Sequence, residues 1–523
     1  MKPSYIQRLL DNLLDKKDND KVSDSMEHWQ QFSTSLDENV KMLEDYLGTS
    51  EDILFSHFHI KLHHDEEIRA VLVTVDGMVD EKAQRNNILQ PLLEPPLAQT
   101  ANEDVEAIIK RLSVKQIQKE DNLVEAGKTV LKAHALLIID GNPQGILMSV
   151  EDFNIRSIEE PDSEMIVRGP REGFIESLSV NLTLIRRRIA HPSLRFDTIE
   201  IGEYSQTKVA VAYVEDITDS AIIKQVKNRL NEVKIDATHN AGVVEQLIED
   251  HPYSIFPTIG NTERPDRVAS LLMEGRVALL VDGDPVCLVV PFLFVESIKN
   301  IEDDSSRPYY ASFIRLIRFL AFGLSITLPA IYIAAVNFNK ALIPSDMVVP
   351  LTVAREAVPF PLALEIIIMT LMFEVVREAG VRLPKQVGTA VSIVGPLILG
   401  DVAVTSSLVG APTIIIVSIS YIAAFVVVTM ADVIALLRIF LFLAASIFGS
   451  YGLVVALLAL FTHMATLTSF GVPYMAPFSP FYFRDWKDAI VRFPTRLIKK
   501  RPKSIPNKRS TKINSLPNVR DKQ

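Results

Sequence analysis

Cysteine is nearly absent from this chain of 523 residues, because Cys287 is the only one. A single cysteine excludes an internal disulfide framework and a metal site built from several cysteines. Cys287 itself lies in an apolar, strand-like stretch, which indicates a buried and unreactive thiol. The net charge of −10 and the pI of about 5.6 also argue against a nucleic-acid-binding protein.

Catalytic and metal-binding signatures are missing as well. The densest group of candidate metal ligands is His57, His59, His63, His64, Asp65, Glu66 and Glu67. The surrounding residues read as a loop entering a strand, which favours a solvated polar turn over a zinc site. Residues 126–129 imitate the end of a P-loop, but Asn122 stands where that motif requires glycine. The sequence therefore predicts no enzyme, no cofactor and no metal.

Charge of either sign is scarce over the middle of the chain. Residues 387–431 contain a single charged residue, Asp401. Residues 313–467 carry a net charge of +1 and residues 484–523 a net charge of +10, which leaves −21 for residues 1–312. The average charge therefore conceals an acidic front, an apolar middle and a basic end.

The apolar middle contains runs that approach or exceed the roughly 20 residues needed to cross a bilayer. The expected segments are 313–336, 360–377, 387–409, 412–431, 434–448 and 453–467. The last two are one run of about 50 Å if helical throughout, so we expect a break near Gly449-Ser450-Tyr451-Gly452. These runs predict a polytopic α-helical membrane domain rather than a soluble helical bundle.

The arrangement of basic residues predicts the orientation of that domain. The first 20 residues are polar and include no apolar signal segment, so we expect the front to be cytoplasmic. Basic residues flank the runs and follow them, as the positive-inside rule expects of cytoplasmic connections. Two cytoplasmic ends require an even number of spans; six are favoured, and four remain if one segment is re-entrant. We predict that residues 499–512 are disordered and act only as a determinant of membrane topology. The alternative is that they contact anionic lipid headgroups.

The front has the pattern of a two-lobed α/β domain. Apolar runs flank Asp140-Gly141-Asn142-Pro143 and again Asp282-Gly283-Asp284-Pro285, which is β-hairpin chemistry. Strands are predicted at 69–77, 197–203 and 207–215, and helices at 101–131, 219–234 and 264–274. We predict a polar arm over 1–45, lobes over 46–165 and 166–312, the membrane domain over 313–468 and a cytoplasmic basic tail over 469–523. Two similar hairpins are also compatible with coincidence.

Two segments contain the candidate functional residues. In VRGPREGFIESLSVNLTLIRRRI (167–189), Arg168 and Arg171 flank a glycine-proline turn, and Glu176 follows. These residues form either an anion site at a helix start or an interlobe brace of Arg–carboxylate pairs.

The second segment is REAVPFPLALEIIIMTLMFEVVREAGVRLPK (355–385). Its candidate pore or gating residues are Val358, Pro359, Phe360, Pro361, Leu362, Glu365 and Glu374, together with Asp401 further on. The prolines prevent a regular helix start, and carboxylates inside an apolar run mark a functional site or an ion-pair brace. Arg355 and Glu356 are candidates for a pair, whereas Asp432 and Arg438 are expected to snorkel.

These motifs, with GRVALLVDGDP (275–285), GPLILGDVAV (395–404) and SFGVPYMAPFSP (469–480), resemble the A subunit of GerA-type spore germinant receptors over about residues 45–485. The resemblance implies a multi-pass protein of the spore inner membrane that works with a transporter-like B subunit and a lipoprotein C subunit. It further implies a homo-oligomeric, nutrient-gated cation channel that triggers germination. We hypothesise that the helix after Pro361 lines or gates the cation pathway. The alternative is a non-conducting scaffold or signal-transducing subunit, whose glutamates pair with basic groups on neighbouring helices.

Overall fold

The computed structural model of the chain describes residues 31–512 apart from 63–66, 95–104, 115, 151–160, 162–163, 165, 167, 384–387, 389–394 and 396–397. Within these residues the chain divides into two compact units. Of the described residues, unit 1 takes in 31–249, Ile259–Pro291 and Ile505–Ser510. Unit 2 takes in Asp250–Thr258, Phe292–Ser504 and 511–512.

Unit 1 begins with lobe 1, an antiparallel sheet with apolar cores on both of its faces. Strands β1 to β5 are Ile53–Lys61, Glu67–Val75, Ile117–Glu120, His134–Ile139 and Gly145–Ser149, and helices α1 to α3 are Leu36–Leu47, Val105–Arg111 and Leu123–Val130. Short helical turns occupy Glu81–Ala83, Gln84–Leu89 and Gln90–Leu93. The sheet order is β1-β2-β4-β5-β3. Alternate residues of β2 face opposite cores, Val71 and Val73 one and Ala70 and Leu72 the other, so the strand is apolar from Ala70 to Val73.

Lobe 2 repeats this architecture. Its strands β6 to β10 are Leu194–Ile201, Thr207–Val214, Gly260–Thr262, Val277–Val281 and Cys287–Val290, and its helices α4 to α7 are Leu178–Arg188, Ser220–Glu232, Ala241–Ile248 and Pro265–Leu272. The sheet order β6-β7-β9-β10-β8 matches that of lobe 1 strand for strand. The two predicted hairpins are therefore confirmed as equivalent parts of a structural repeat. Cys287 is buried in β10, and burial raises the pKa of its thiol.

The same hydrogen bonds tie the first helix to the hairpin in both lobes. The Asp140 carboxylate accepts from the Leu36 N–H at 3.2 Å, and the Asp282 carboxylate accepts from the Leu178 N–H at 3.3 Å. Each pair spans 104 residues, and the two pairs lie 142 positions apart. Each hairpin aspartate therefore also binds the first backbone N–H of the first helix in its lobe.

The two lobes are joined by a buried ion pair. Arg186 Nε donates to Asp52 Oδ2 at 2.7 Å, and Arg186 Nη2 donates to Asp52 Oδ1 at 2.8 Å. Both side chains are buried, and the Ser50 hydroxyl accepts a further bond from Arg186 at 3.2 Å. Removing one member of such a pair typically costs about 3–5 kcal/mol, because the other charge stays buried without compensation.

Several local predictions for the front are confirmed. The Asp219 side chain caps α5 by accepting from the Ala221 N–H at 2.8 Å. Pro265 begins α7, and Gly275 follows its end with a φ of 101°. The helical prediction for 101–131 is wrong in part, because strand β3 separates α2 from α3 and pairs with the edge of the sheet. The predicted arm over 1–45 is wrong for residues 36–45, which lie in α1 and contribute buried side chains to the core of lobe 1.

Unit 2 consists mainly of apolar helices. Helices α8 to α12 are Pro308–Ile333, Ser345–Val353, Leu362–Arg382, Ala411–Phe425 and Ala431–Thr466. Shorter helical pieces are Phe294–Ile298, Glu302–Ser305, Ala334–Phe338, Lys340–Leu342, Val428–Met430, Trp486–Ala489 and Thr495–Leu497, and strands β11 and β12 are Thr468–Ser469 and Val472–Pro473. Residues 398–405 are also helical. Of the described helices, Pro308–Phe338 is long and apolar enough to cross a membrane, and so is Ala431–Thr466 when its residues are counted across the break at Gly449. Ala411–Phe425 is apolar but shorter.

Helix α12 is interrupted at Gly449, as the sequence predicts. Gly449 has a φ of 62° and a ψ of −146°, which is not helical. A Cβ on Gly452 would lie 2.3 Å from the carbonyl oxygen of Ala444, eight residues earlier. Eight residues of continuous helix span about 12 Å, so the chain turns back on itself here. Glycine permits both the unusual backbone angles and the close approach.

The expectation of disorder for residues 499–512 is wrong. Lys500 bridges Thr511 in an antiparallel fashion, and Asn507 bridges Thr218. The Lys508 N–H donates to the Ile217 carbonyl at 2.8 Å. Ile505 is almost fully buried. Backbone pairing and the burial of Arg501, Ser504 and Ile505 order this segment. Neither feature produces a periodic pattern of apolar residues in the sequence.

Candidate functional site

The candidate pore segment begins at a proline-limited helix end. Pro361 precedes α10 with an extended backbone, and its carbonyl accepts from the N–H groups of Leu364 and Glu365. Glu365 therefore lies in the first turn, where the helix dipole favours a negative charge. Of the neighbouring candidates, Leu362 is buried, Val358 is half-buried and Pro359 is exposed.

Glu365 is fully buried, and both of its carboxylate oxygens accept two hydrogen bonds. Oε1 accepts from Arg355 Nε at 3.1 Å and from Arg355 Nη2 at 2.9 Å. Oε2 accepts from the Gly410 N–H and from the Thr413 hydroxyl, both at 3.0 Å. Arg355 therefore pairs with Glu365 and not with Glu356, which is exposed. The reason is geometric, because the turn before Pro359 returns residue 355 to the first turn of α10.

A second polar cluster is built around Glu374 on the same helix. Glu374 pairs with Arg377 and accepts a hydrogen bond from the Tyr421 hydroxyl at 3.0 Å. The Arg438 guanidinium lies 3.9 Å from the centre of the Tyr421 ring, and its Nε donates to the Ser325 carbonyl at 2.9 Å. The cluster thus joins helices α8, α10, α11 and α12 through charged and polar groups.

The prediction that Arg438 snorkels is wrong. Its side chain is 2% exposed, so it does not snorkel, whereas the Asp432 side chain is 96% exposed. The sequence does indicate the burial of Arg438, because a basic residue isolated inside an apolar run needs partners within the protein. The sequence gives no sign of Thr413 as a partner of Glu365 or of Tyr421 as a partner of Glu374 and Arg438, since polar residues are common in apolar helices.

A cavity of about 150 Å³ lies beside this second cluster. Its lining comes from three helices and is apolar apart from Thr370 and the Arg438 side chain: Pro329, Ile366, Ile367, Thr370, Leu371, Arg438, Ile439, Phe442 and Leu443. The cavity lies between the helix that bears both glutamates and helices α8 and α12.

The remaining candidate residues are Asp401, Arg168, Arg171, Glu176 and Phe360. Asp401 is exposed within the helical residues 398–405. Arg168, Arg171 and Glu176 are exposed in the segment before α4. Phe360 is half-buried between the two prolines of the proline-limited segment.

The histidine-rich segment gives no metal site within the described residues. His57 and His59 lie in strand β1 and not in the predicted loop, and residues 63–66 fall outside the described part. Among the residues that the structure describes, no three His, Cys, Asp or Glu side chains come together to hold a metal ion.

Most of the chain is similar to known proteins of one family. The family model of the Bacillus/Clostridium GerA spore germination protein matches residues 41–504. Spore germination protein KA of Bacillus subtilis (strain 168) is 37% identical over 91% of this chain and 87% of its own length. A membrane protein of the same organism, YfkQ, is 36% identical over 90% of this chain and 91% of its own length.

A solved structure is also similar to part of the chain. It is the N-terminal domain of the A subunit of the Bacillus megaterium spore germinant receptor GerK3, with 29% identity and a TM-score of 0.40 over 50% of this chain and 97% of that domain. The match of the family model to most of the chain, together with the identities to full-length relatives, establishes that this protein belongs to the GerA family of spore germination proteins.

Proposed function

We propose that this protein is the A-type membrane subunit of a spore germinant receptor and that it triggers germination in response to nutrients. Family membership and the relatives' names support the role in germination. Helices Pro308–Phe338 and Ala431–Thr466 support a membrane location. We place the protein in the spore inner membrane with six crossings, both ends cytoplasmic, and a transporter-like B subunit and a lipoprotein C subunit as partners.

We further propose that several copies form a nutrient-gated cation channel. The observation that carries this proposal is the ion pair between half-buried Arg355 and fully buried Glu365 at the proline-limited start of α10. In the paired state the carboxylate is neutralised and cannot attract a cation. A shift of α10 that separated the pair would expose a carboxylate inside the apolar unit, where it would stabilise a passing cation.

Cation flux through the assembled receptor in liposomes tests the channel. We expect Glu365→Gln and Glu374→Gln to change the flux, because both remove a charge from the proposed pathway. Glu378→Gln is the matched control, since Glu378 lies on the same helix in an exposed pair with Arg382. Unchanged flux in both variants of a correctly assembled receptor would reject the carboxylate role.

A non-conducting scaffold is the second candidate, and one observation favours it. Glu365 accepts four hydrogen bonds within its own chain, which is how a structural ion pair is satisfied. Replacing Val358 or Leu362 by alanine separates the two functions. A channel should then leak cations without nutrient, whereas a scaffold should only assemble less well.

A further inference from the structure

An aromatic segment with exposed rings follows the last apolar helix of unit 2. The Phe481 side chain is 61% exposed and the Phe483 side chain is 73% exposed. Behind them lies Trp486, whose ring centre is 5.1 Å from that of Phe481 and 5.7 Å from that of Phe478. Exposed phenylalanines held by an ordered aromatic base are costly in water and indicate a surface that is covered in the working protein.

This segment is fixed to the beginning of helix α8. The Phe478 ring meets the Phe319 ring edge-on, with 6.1 Å between their centres. The Ser312 hydroxyl accepts from the Arg492 N–H at 2.9 Å. Arg315 lies 3.4 Å from the Asp488 carboxylate. Contacts over the first turns of α8 thus determine where the exposed rings lie along that helix.

The position along α8 coincides with the expected edge of the hydrocarbon core. Arg315 and Arg318 are the last charged residues at the start of α8, and no charge follows between Phe319 and Phe338. These 20 residues of helix span about 30 Å, the thickness of the hydrocarbon core. If α8 crosses the membrane as proposed above, the Phe319–Phe478 contact is at the boundary between acyl chains and headgroups, where aromatic side chains concentrate.

The charge around the aromatic segment complements an anionic surface. Residues 484–503 contain eight Lys or Arg and two Asp, a net charge of +6. Six of the basic side chains are exposed: Arg484, Lys487, Arg496, Lys499, Lys500 and Lys503. Basic residues near anionic headgroups each contribute about 1 kcal/mol to membrane binding.

We propose that residues 478–503 are a membrane-interface anchor, which rests on the membrane location proposed above. Phe481 and Phe483 enter the boundary between headgroups and acyl chains, and the exposed basic side chains contact anionic headgroups. The anchor holds the beginning of α8 at a fixed depth through Phe478, Ser312 and Asp488.

Tryptophan fluorescence tests the anchor in the full chain. The protein has two tryptophans, Trp29 and Trp486, so Trp29→Phe leaves Trp486 as the sole reporter. The variant is reconstituted in phosphatidylcholine–phosphatidylglycerol vesicles with or without bromine near the carbonyl end of the acyl chains. We expect brominated lipid to reduce the Trp486 emission. Adding Phe481→Ser and Phe483→Ser should weaken that quenching, whereas Tyr253→Ser, at a fully exposed site of the same unit, should not.

The outcomes separate the anchor from the proposed membrane location. If the chain floats with vesicles but brominated lipid leaves the Trp486 emission unchanged, the anchor is rejected and the membrane location stands. Emission that is protected from a water-soluble quencher without being quenched by brominated lipid would mean that a protein surface covers the segment, and it also rejects the anchor. A chain that does not float with vesicles contradicts both proposals.

Discussion

At the scale of single residues, two asparagines have the same role 142 positions apart. Asn39 Oδ1 accepts from the Ser33 N–H at 2.7 Å, and Asn181 Oδ1 accepts from the Ile175 N–H at 2.9 Å. Both amide groups also donate to the carbonyl of the same partner residue. Each asparagine therefore fixes the chain entering the first helix of its lobe.

Replacing either asparagine by alanine should destabilise unit 1 to a similar extent. Each replacement leaves a partly buried backbone N–H and a partly buried carbonyl without their partner, which we expect to cost about 1–3 kcal/mol. Thermal unfolding of the purified full chain measures the loss. Asn228→Ala is the matched control, because Asn228 is exposed on α5. Equal unfolding temperatures for Asn181→Ala and Asn228→Ala would contradict this role.

The repeated residues also show what the sequence could have revealed. Phe32-x-x-Ser35-Leu36-x-x-Asn39 recurs as Phe174-x-x-Ser177-Leu178-x-x-Asn181. This pattern, at the same offset as the two hairpins, predicts helix α1 and a repeat of the lobes. The hairpins alone do not predict α1, and residues 36–45 of this helix fall in the predicted arm. In contrast, the Asp52–Arg186 pair joins residues 134 positions apart, and no local pattern predicts such a partner.

At the scale of secondary-structure elements, sequence reasoning succeeded where backbone chemistry is local. Caps, hairpin turns and the glycine break in α12 follow from a few adjacent residues, as Asp219 and Gly449 illustrate. It failed where an element is stabilised from a distance. Strand β3 is short and polar, and residues 505–510 become ordered by pairing with a loop almost 300 residues earlier.

The break at Gly449 gives a prediction for one element. Gly449→Ala should destabilise unit 2, because the backbone angles disfavour an L-residue and the new Cβ would lie 2.7 Å from the Phe338 ring. Strained angles alone cost on the order of 1–3 kcal/mol. Thermal unfolding in detergent is the measurement.

Substitutions at two other glycines distinguish the cost of backbone strain from the cost of steric overlap with a new Cβ. Gly471 has a φ of 77° with no atom within 4 Å of a new Cβ, so Gly471→Ala reports strain alone. Gly323 is helical with equally open space, so Gly323→Ala should be neutral or slightly stabilising. The unfolding temperature should fall most for Gly449, less for Gly471 and least for Gly323. Equal losses at Gly449 and Gly471 would contradict the importance of the Phe338 contact.

At the scale of the whole molecule, the charge distribution and the structure describe the same division. The α/β lobes with a repeated sheet order lie in the acidic front, and the apolar helices lie in the middle. The basic end is not a separate tail, because Ile505–Ser510 belongs to unit 1 and the residues before it belong to unit 2. The charge of a segment therefore predicts whether it lies among apolar helices or outside them. It does not predict to which of the two units the segment belongs.

The single cysteine makes the membrane topology directly measurable. Cys287→Ala gives a cysteine-free chain, and single cysteines are then placed at exposed residues Tyr253, Asp346, Arg382 and Lys499. If helices α8 and α10 each cross once and the total is even, a membrane-impermeant maleimide should label positions 253, 382 and 499 from one side of sealed vesicles. Position 346 should react only from the other side. Labelling of positions 346 and 382 from the same side would mean that α10 does not cross, which would remove Glu365 and Glu374 from any transmembrane pathway.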